Sequence, residues 1–315
     1  MLRRSGSGGA GLGRQYDDAE FAISGGTDAP AQAGVGFSYA TDQQSFWRRN
    51  LIRAVERISG RATFERLYRD WRLRPRVPGE TVFSSAIRAL RVRPDLAEGA
   101  LDLIPQTGPL LVIANHPFGI IDGLLIGHLV SQQRADIKLM CHALLCQPPE
   151  ARDILLPVDF GTGAEARRTS AETRRQAVDW LDQGHVLIIF PAGGVSTTQT
   201  PLARQAVDPD WHPFVLRLAR RAGVRTVAMF VHGQNSRLFQ VASALSYPLR
   251  VALIFHETRR RIGGSVKVSI APPCAMASVG KTDVVAALRA RTYSMAGPGG
   301  PRSDQVYRFP RHIRF

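Results

Sequence analysis

The sequence predicts an α/β fold with a mostly parallel central sheet, on three observations. From about residue 108, short runs of Val, Ile and Leu alternate with helical stretches. The runs are continuously apolar rather than alternating, as in strands buried on both faces. Three of them end in loops bearing His, Asn, Pro and Gly, where open α/β sheets collect their ligands. With 315 residues, 44% hydrophobic and 21% charged, the chain is large enough to bury one main core without disulfides or metals.

The elements follow in order. Residues 1–40 are rich in Gly, Ser and Ala without a period, and read as a disordered lead-in. A helix begins at Thr41, with Gln44 at capping-box spacing, and Trp47, Leu51, Ala54, Val55 and Ile58 share one face. A second stripe follows in Phe64, Leu67, Tyr68 and Trp71. Between Arg48 and Arg76 ten Arg stand against Glu56, Glu65 and Asp70, a net +7. Basic helices with aromatic anchors suit an anionic bilayer interface. Equally, their apolar faces can pack on the main domain with the Arg residues facing water. The predicted strands are Leu110–Ala114, Ile137–Cys141, Val186–Phe190, Val227–Val231, Leu249–Phe255 and Val266–Ile270, with helices near 122–133, 165–182, 212–222 and 281–294.

Charge narrows the partners. Lys+Arg 41 against Asp+Glu 26 gives +15, nearly all of it Arg, which points to an anionic membrane or a nucleic acid. No nucleic-acid reader motif is present, so no specific nucleic acid is expected. The basic N-terminus lacks the apolar stretch of a signal peptide, and no run of about 18 apolar residues suggests a spanning helix. Cys141, Cys146 and Cys274 are too few and scattered for a disulfide framework. Cys141-His142-xxx-Cys146 matches no common zinc spacing, and neither a metal nor a cofactor is expected.

The sharpest chemical signal is His116, just past the first buried strand in Asn115-His116-Pro117-Phe118-Gly119-Ile120-Ile121-Asp122-Gly123. An imidazole there can take a proton from an alcohol or amine if a partner holds its second nitrogen. Asp122 can be that partner, and Asp159 is the rival. No G-x-S-x-G elbow is present, and Ser196 and Ser236 sit in turns, so a hydrolase nucleophile is missing. A base without an enzyme nucleophile fits direct attack by an acceptor on an activated acyl group, with glycine-bearing loops supplying N–H groups to the oxyanion.

NHPFGIIDG resembles the N-H-x-x-x-x-D signature of the glycerophospholipid (lysophosphatidate-type) acyltransferase superfamily. Pro157–Gly161 (PVDFG) resembles its second block, Phe190–Ser196 (FPAGGVS) its third, and VAMFVHGQNSRLFQ stands in the place of its fourth. The likeness spans roughly residues 42–275 and is nearest to the bacterial branch labelled hemolysin or lysophospholipid acyltransferase. It implies His116 as catalytic base and Asp122 as its orienting carboxylate. Asn115, Pro117, Phe118, Gly119, Phe190, Pro191, Gly193, Gly194, Ser196, Asn235 and Ser236 would bind substrate. It also implies acyl-CoA or acyl-acyl-carrier protein as donor and a lysolipid as acceptor, with the enzyme peripheral on the cytoplasmic face of the cell membrane. An N-acyltransferase of an amino-lipid and a non-catalytic basic protein are the alternatives. The corresponding organisation is a lead-in over 1–40, interface helices over 41–95, an acyltransferase domain over 96–295 and a basic tail over 296–315.

Two departures stand out. The spacing from His116 to Asp122 is one residue longer than the common form, and six residues of helix would set the side chains about 120° apart, so the turn at Gly119 is expected to absorb the extra residue. Ala192 and Val195 occupy positions where the family commonly carries Glu and Arg, leaving Arg167, Arg168 or Arg237 as stand-ins for the missing cation.

Overall fold

The computed structural model describes residue 50 and residues 60–310, except 76, 147, 160–162 and 277–283. The lead-in, the helix read at 41–58 (residue 50 apart) and the last five residues lie outside the described residues.

Leu110–Ala114 (β2), Ile137–His142 (β3), Leu155–Val158 (β4), Val186–Ile189 (β5) and Arg225–Val231 (β8) run parallel. With Arg93–Glu98 (β1) and Ser265–Ile270 (β9) they make a seven-stranded sheet of order β1-β9-β8-β2-β5-β3-β4. β9 pairs antiparallel with β8, and β1 pairs parallel with β9, so one edge of the sheet is reversed. Thr197–Thr198 (β6) and Ala206–Val207 (β7) form a separate small antiparallel pair.

β2 is buried along its whole length because helices cover both faces of the sheet. Leu110 and Val112 join Phe83 and Ile87 of Val82–Leu90 (α2) and Leu125 and Leu129 of Ile120–Ser131 (α3). On the opposite face Leu111 and Ile113 join Val178 and Leu181 of Ala164–Asp182 (α4), Leu218 of Phe214–Ala219 (α5) and Leu288 of Val284–Tyr293 (α8). Because β2, β5 and β8 are parallel, the loops after them share one rim.

The stretch Leu249–Phe255 is not a strand. It belongs to the helix Tyr247–Arg261 (α7), which follows Arg237–Leu245 (α6) and Ser246. A short apolar run has no period that separates strand from buried helix, and here the helix is buried on several sides, at Val251, Ala252, Phe255 and Thr258. Its last turn carries Arg259, Arg260 and Arg261, cations that suit the negative end of the helix dipole.

The domain boundaries also differ. A division at 95/96 falls inside β1, and α2 contributes Phe83, Ile87 and Leu90 to the main core. In the helix Arg61–Leu73 (α1), Trp71 is buried and donates from Nε1 to Ser85 Oγ (2.7 Å), and Phe64 meets Phe255 of α7 at 5.5 Å between ring centroids. Tyr68 and Arg72 both reach Glu150 (2.8 Å each). The apolar face of α1 therefore packs on the domain, while Arg66 and Arg69 stay exposed. Residues 297–310 are likewise more than a tail: Tyr307 is buried and returns to the rim. Among the described residues no helix is long and apolar enough to cross a membrane.

Candidate active site

β2 ends in Asn115, whose side-chain amide donates to the Val231 carbonyl (2.9 Å) and accepts from the Val231 N–H (2.7 Å). That bridge ties the end of β2 to the end of β8 and fixes the next residue, His116. Its Nδ1 lies 3.0 Å from Asp122 Oδ2, an ion-pair contact off the line of an ideal hydrogen bond. The ring stacks on Phe190 at 4.2 Å between centroids and 26° between planes. Asp159 is not the partner: its charge acts on His142, and its carbonyl accepts from Ser170.

The turn from His116 to α3 depends on Gly119, with φ 79° and ψ −116° as the residue before the helix. A side chain would be strained there, and its Cβ would stand 3.3 Å from Ile254 Cγ2. The additional residue between His116 and Asp122 is accommodated in this turn, since α3 begins only at Ile120. Asp122 Oδ2 accepts the N–H groups of Phe118 (2.8 Å) and Gly119 (2.9 Å), so one carboxylate caps the helix and faces His116. Asp122 is fully buried, its Oδ1 has no partner, and burial raises its pKa above the ordinary carboxylate value despite the pull of His116.

The loop after β5 is held differently. Gly193 N–H closes a turn onto Phe190 (2.9 Å), and the Ser196 N–H donates to the His116 carbonyl (2.7 Å). Ser196 Oγ donates to Asp208 Oδ1 (2.5 Å), which also accepts the His116 N–H (3.2 Å). Asp208 is fully buried, and its other oxygen accepts Trp211 Nε1–H (3.0 Å). The Asp208 carbonyl accepts from Tyr307 N–H (3.0 Å) and from Arg289 (3.2 Å). Arg250, buried in α7, donates to the Val195 carbonyl (2.5 Å) and to Thr197 Oγ1. Thr198 N–H donates to Gln240 of α6 (2.9 Å). No short motif marks Asp208, Arg250 or Gln240, because each acts across a long stretch of chain.

The polar groups expected to meet substrate are thus mostly committed to the protein. Asn115 braces β8 and Ser196 serves Asp208. Ser236 Oγ donates to the buried Glu257 and caps α6 by accepting the Phe239 N–H (3.3 Å). The Phe118, Gly119 and Gly193 N–H groups are likewise taken, by Asp122 and Phe190, and so are not waiting for an oxyanion. Asn235 is the exception, buried with both side-chain polar atoms unpartnered. Pro117 and Pro191 are buried, Phe190 and Gly194 half-buried and Gly193 exposed. A cavity of about 260 Å³ opens beside the loops, with Asn115, Ser196, His232, Gly233 and Gln234 among its walls.

Val195 faces inward into an apolar cluster with Phe239, Ala242 and Leu253, so the third-block position carries no cation outward. Arg237 spends its guanidinium on the Pro201 and Ala203 carbonyls (2.9 and 2.7 Å), and Arg167 and Arg168 are exposed on α4. Among the described residues no group of three or more His, Cys, Asp or Glu is placed to hold a metal. Cys141 and Cys146 are free thiols with sulfurs 3.7 Å apart.

Residues 43–266 match the family model described as Acyltransferase. The chain belongs to the Acyltransferase family. That match covers the rim loops, both carboxylates and all of α7. A lyso-glycine lipid O-acyltransferase of Phocaeicola vulgatus is 21% identical to this acyltransferase-family chain over 160 residues, 49% of this chain and 54% of that protein. The chain therefore spans about half the length of the curated relative it matches. The crystal structure of the 1-acyl-sn-glycerophosphate (LPA) acyltransferase PlsC from Thermotoga maritima aligns over 76% of each chain with a TM-score of 0.40 and 16% identity.

Proposed function

We propose that this protein transfers a fatty-acyl group from a thioester donor, acyl-CoA or acyl-acyl-carrier protein, to the hydroxyl of a lysolipid, with His116 as general base. The observation that carries this reading is the pair of His116 and buried Asp122 at the sheet rim, with the two nearby loop serines occupied elsewhere. With Nδ1–H turned to Asp122, Nε2 is the basic nitrogen. It takes the acceptor's hydroxyl proton as the oxygen attacks the thioester carbonyl. The C–S bond then breaks, and the proton passes to the departing thiolate, giving an ester and a free thiol. Asp122 fixes the ring and stabilises the imidazolium, as a triad carboxylate does. Family membership fits acyl transfer, and a relative named as a lyso-glycine lipid O-acyltransferase supports attack by a hydroxyl rather than an amine. That relative also brings an amino-acid headgroup into the acceptor class to be tested.

We further propose that it works at an anionic membrane surface, held there by the basic N-terminal part of the chain. The test is to incubate the purified protein with acyl-CoA and acyl-carrier-protein donors, each with hydroxylated N-acylglycine and lysophospholipid acceptors. Mass spectrometry would then show esters formed with His116 intact and absent in His116→Ala. Products in which only an amine has been acylated overturn the hydroxyl assignment.

A further inference from the structure

Helix α7 lies along the site, presenting Arg250 to Val195, Ile254 to Gly119 and Arg261 to Phe118. Arg261 differs from the other cations of this region. Its guanidinium stacks 4.0 Å from the centre of the Phe118 ring, two residues beyond His116. Of the five N–H donors a guanidinium offers, one is used, from Nη2 to the Gln234 carbonyl (2.9 Å). Nε is buried without a partner. Asp122 and Glu257 act on it through their charge, and Arg260 opposes them, yet no carboxylate of the described residues lies within ion-pair distance. Burial pulls its pKa below the ordinary guanidinium value.

Three features make this a prepared anion site. Charge is half-buried beside the catalytic loop, where an opposite charge is attracted more strongly than in water. The aromatic face under the guanidinium fixes its plane, which matches a carboxylate or phosphate. The chain that accepts its one hydrogen bond is also built to stay close: Gly233, at φ 115°, has no room for a side chain, because a Cβ would come 2.7 Å from Phe118 Cζ. Phe118 thus sits between the 232–235 loop and Arg261, and His116 and the proposed anion site are joined by one short rigid turn.

We infer that Arg261 is a specificity-determining residue that binds the anionic headgroup of the acceptor, a carboxylate or a phosphate, and orients its hydroxyl toward His116. It takes in space the role for which Val195 has no charge. The inference rests on the acyl-transfer reading, but its test does not depend on turnover alone.

Two pairs of acceptors, each anionic member matched with a neutral one, are used on the full chain: a hydroxylated N-acylglycine with its methyl ester, and lysophosphatidate with monoacylglycerol. Wild type is expected to prefer the anionic member of at least one pair, and the pair showing it identifies the headgroup. Arg261→Gln should erase that preference about 10- to 100-fold, mainly in acceptor KM, the range of a charge-assisted hydrogen bond. Arg261→Lys should restore part of it. Equilibrium binding of the same four lipids without donor reports the same ratio if no turnover is seen. Turnover with the preference unchanged in Arg261→Gln, at an unchanged Tm, overturns the assignment. So does a rise confined to the KM for acyl-CoA, which would place the donor's phosphates there. Binding that discriminates without product formation would spare the anion site and sink the acyl-transfer reading; binding of none of the lipids would sink both.

Discussion

The two loops that meet at His116 are built in opposite ways. The loop after β2 keeps its paired groups close in sequence: within eight residues, 115–122, it carries the imidazole, the carboxylate facing it and the glycine that turns the chain into α3. The loop after β5 owns almost none of its supports. Its serine is held by Asp208, its carbonyl by Arg250 and its far end by Gln240, while Arg289 and Tyr307 brace Asp208 in turn. A local loop can fail chemically without failing structurally. A borrowed one should lose shape and activity together.

His116→Ala gives the largest separation of the two. It should cut acyl transfer by roughly 10²- to 10⁴-fold, with only a small change in Tm, because the ring's packing is limited to Phe190 and the Asp122 it faces. Steady-state kinetics beside calorimetry decides it, and turnover near wild type would break the comparison at its base.

Asp208→Asn tests the borrowed loop. It replaces a buried acceptor of three hydrogen bonds with a group that must turn an N–H toward at least one donor. A loss of about 2–3 kcal/mol in unfolding free energy is expected, with kcat falling in step. A large fall in kcat at full stability would mean that Asp208 belongs to the chemistry and is not only a brace.

Asp122→Asn sharpens the account of the first loop. Activity should fall by roughly 10- to 100-fold, less than for His116→Ala. Stability should respond with a definite sign. Since burial raises the carboxyl's folded pKa, the native state retains a proton that the unfolded chain has already released above about pH 4. Wild type therefore loses stability as pH rises through that window, whereas the amide of the variant does not titrate and brings no such loss. The Tm of the variant relative to wild type should climb with pH until the raised pKa is passed. A difference that is flat, or that falls, shows Asp122 to be ionised at no cost.

The smallest effect is expected at the edge of the molecule. Arg66→Glu with Arg69→Glu should weaken sedimentation with anionic liposomes by about 1 kcal/mol per reversed charge, a loss that fades as salt rises. Binding indifferent to both would move the proposed membrane contact away from α1.

The same division explains what could be read in the sequence. Of the parallel strands, β2, β3, β5 and β8 were legible, with the helices at 120–131, 164–182, 214–219 and 284–293, because burial on both faces leaves continuous apolar runs between periodic segments; β4, four residues long, partly exposed and interrupted by Pro157, was not. The pairing of His116 with Asp122 was legible because both lie in one short loop. α7 was misread because its apolar stretch is too short to show a period and its buried polar residues serve partners remote in sequence. Arg250 and Thr258 break up an apolar face only until Val195 and the helix's own backbone are seen beside them. The reversed edge, β9 beside β8, follows from where the chain returns after α7, a property no local pattern carries.

The strap of residues 297–310 has a consequence for how the enzyme comes into being. Synthesis delivers His116 and Asp122 early and Asp208 midway, but Arg289 and Tyr307, which complete the bracing of Asp208, emerge after them. A nascent chain that has reached β9 already holds His116 and the Asp122 that faces it, with the loop beside them unfinished. If the proposed acyl transfer needs that bracing, a chain lacking residues 297–310 is expected to keep the sheet and lose transfer, which activity and far-UV circular dichroism of the truncated chain would check.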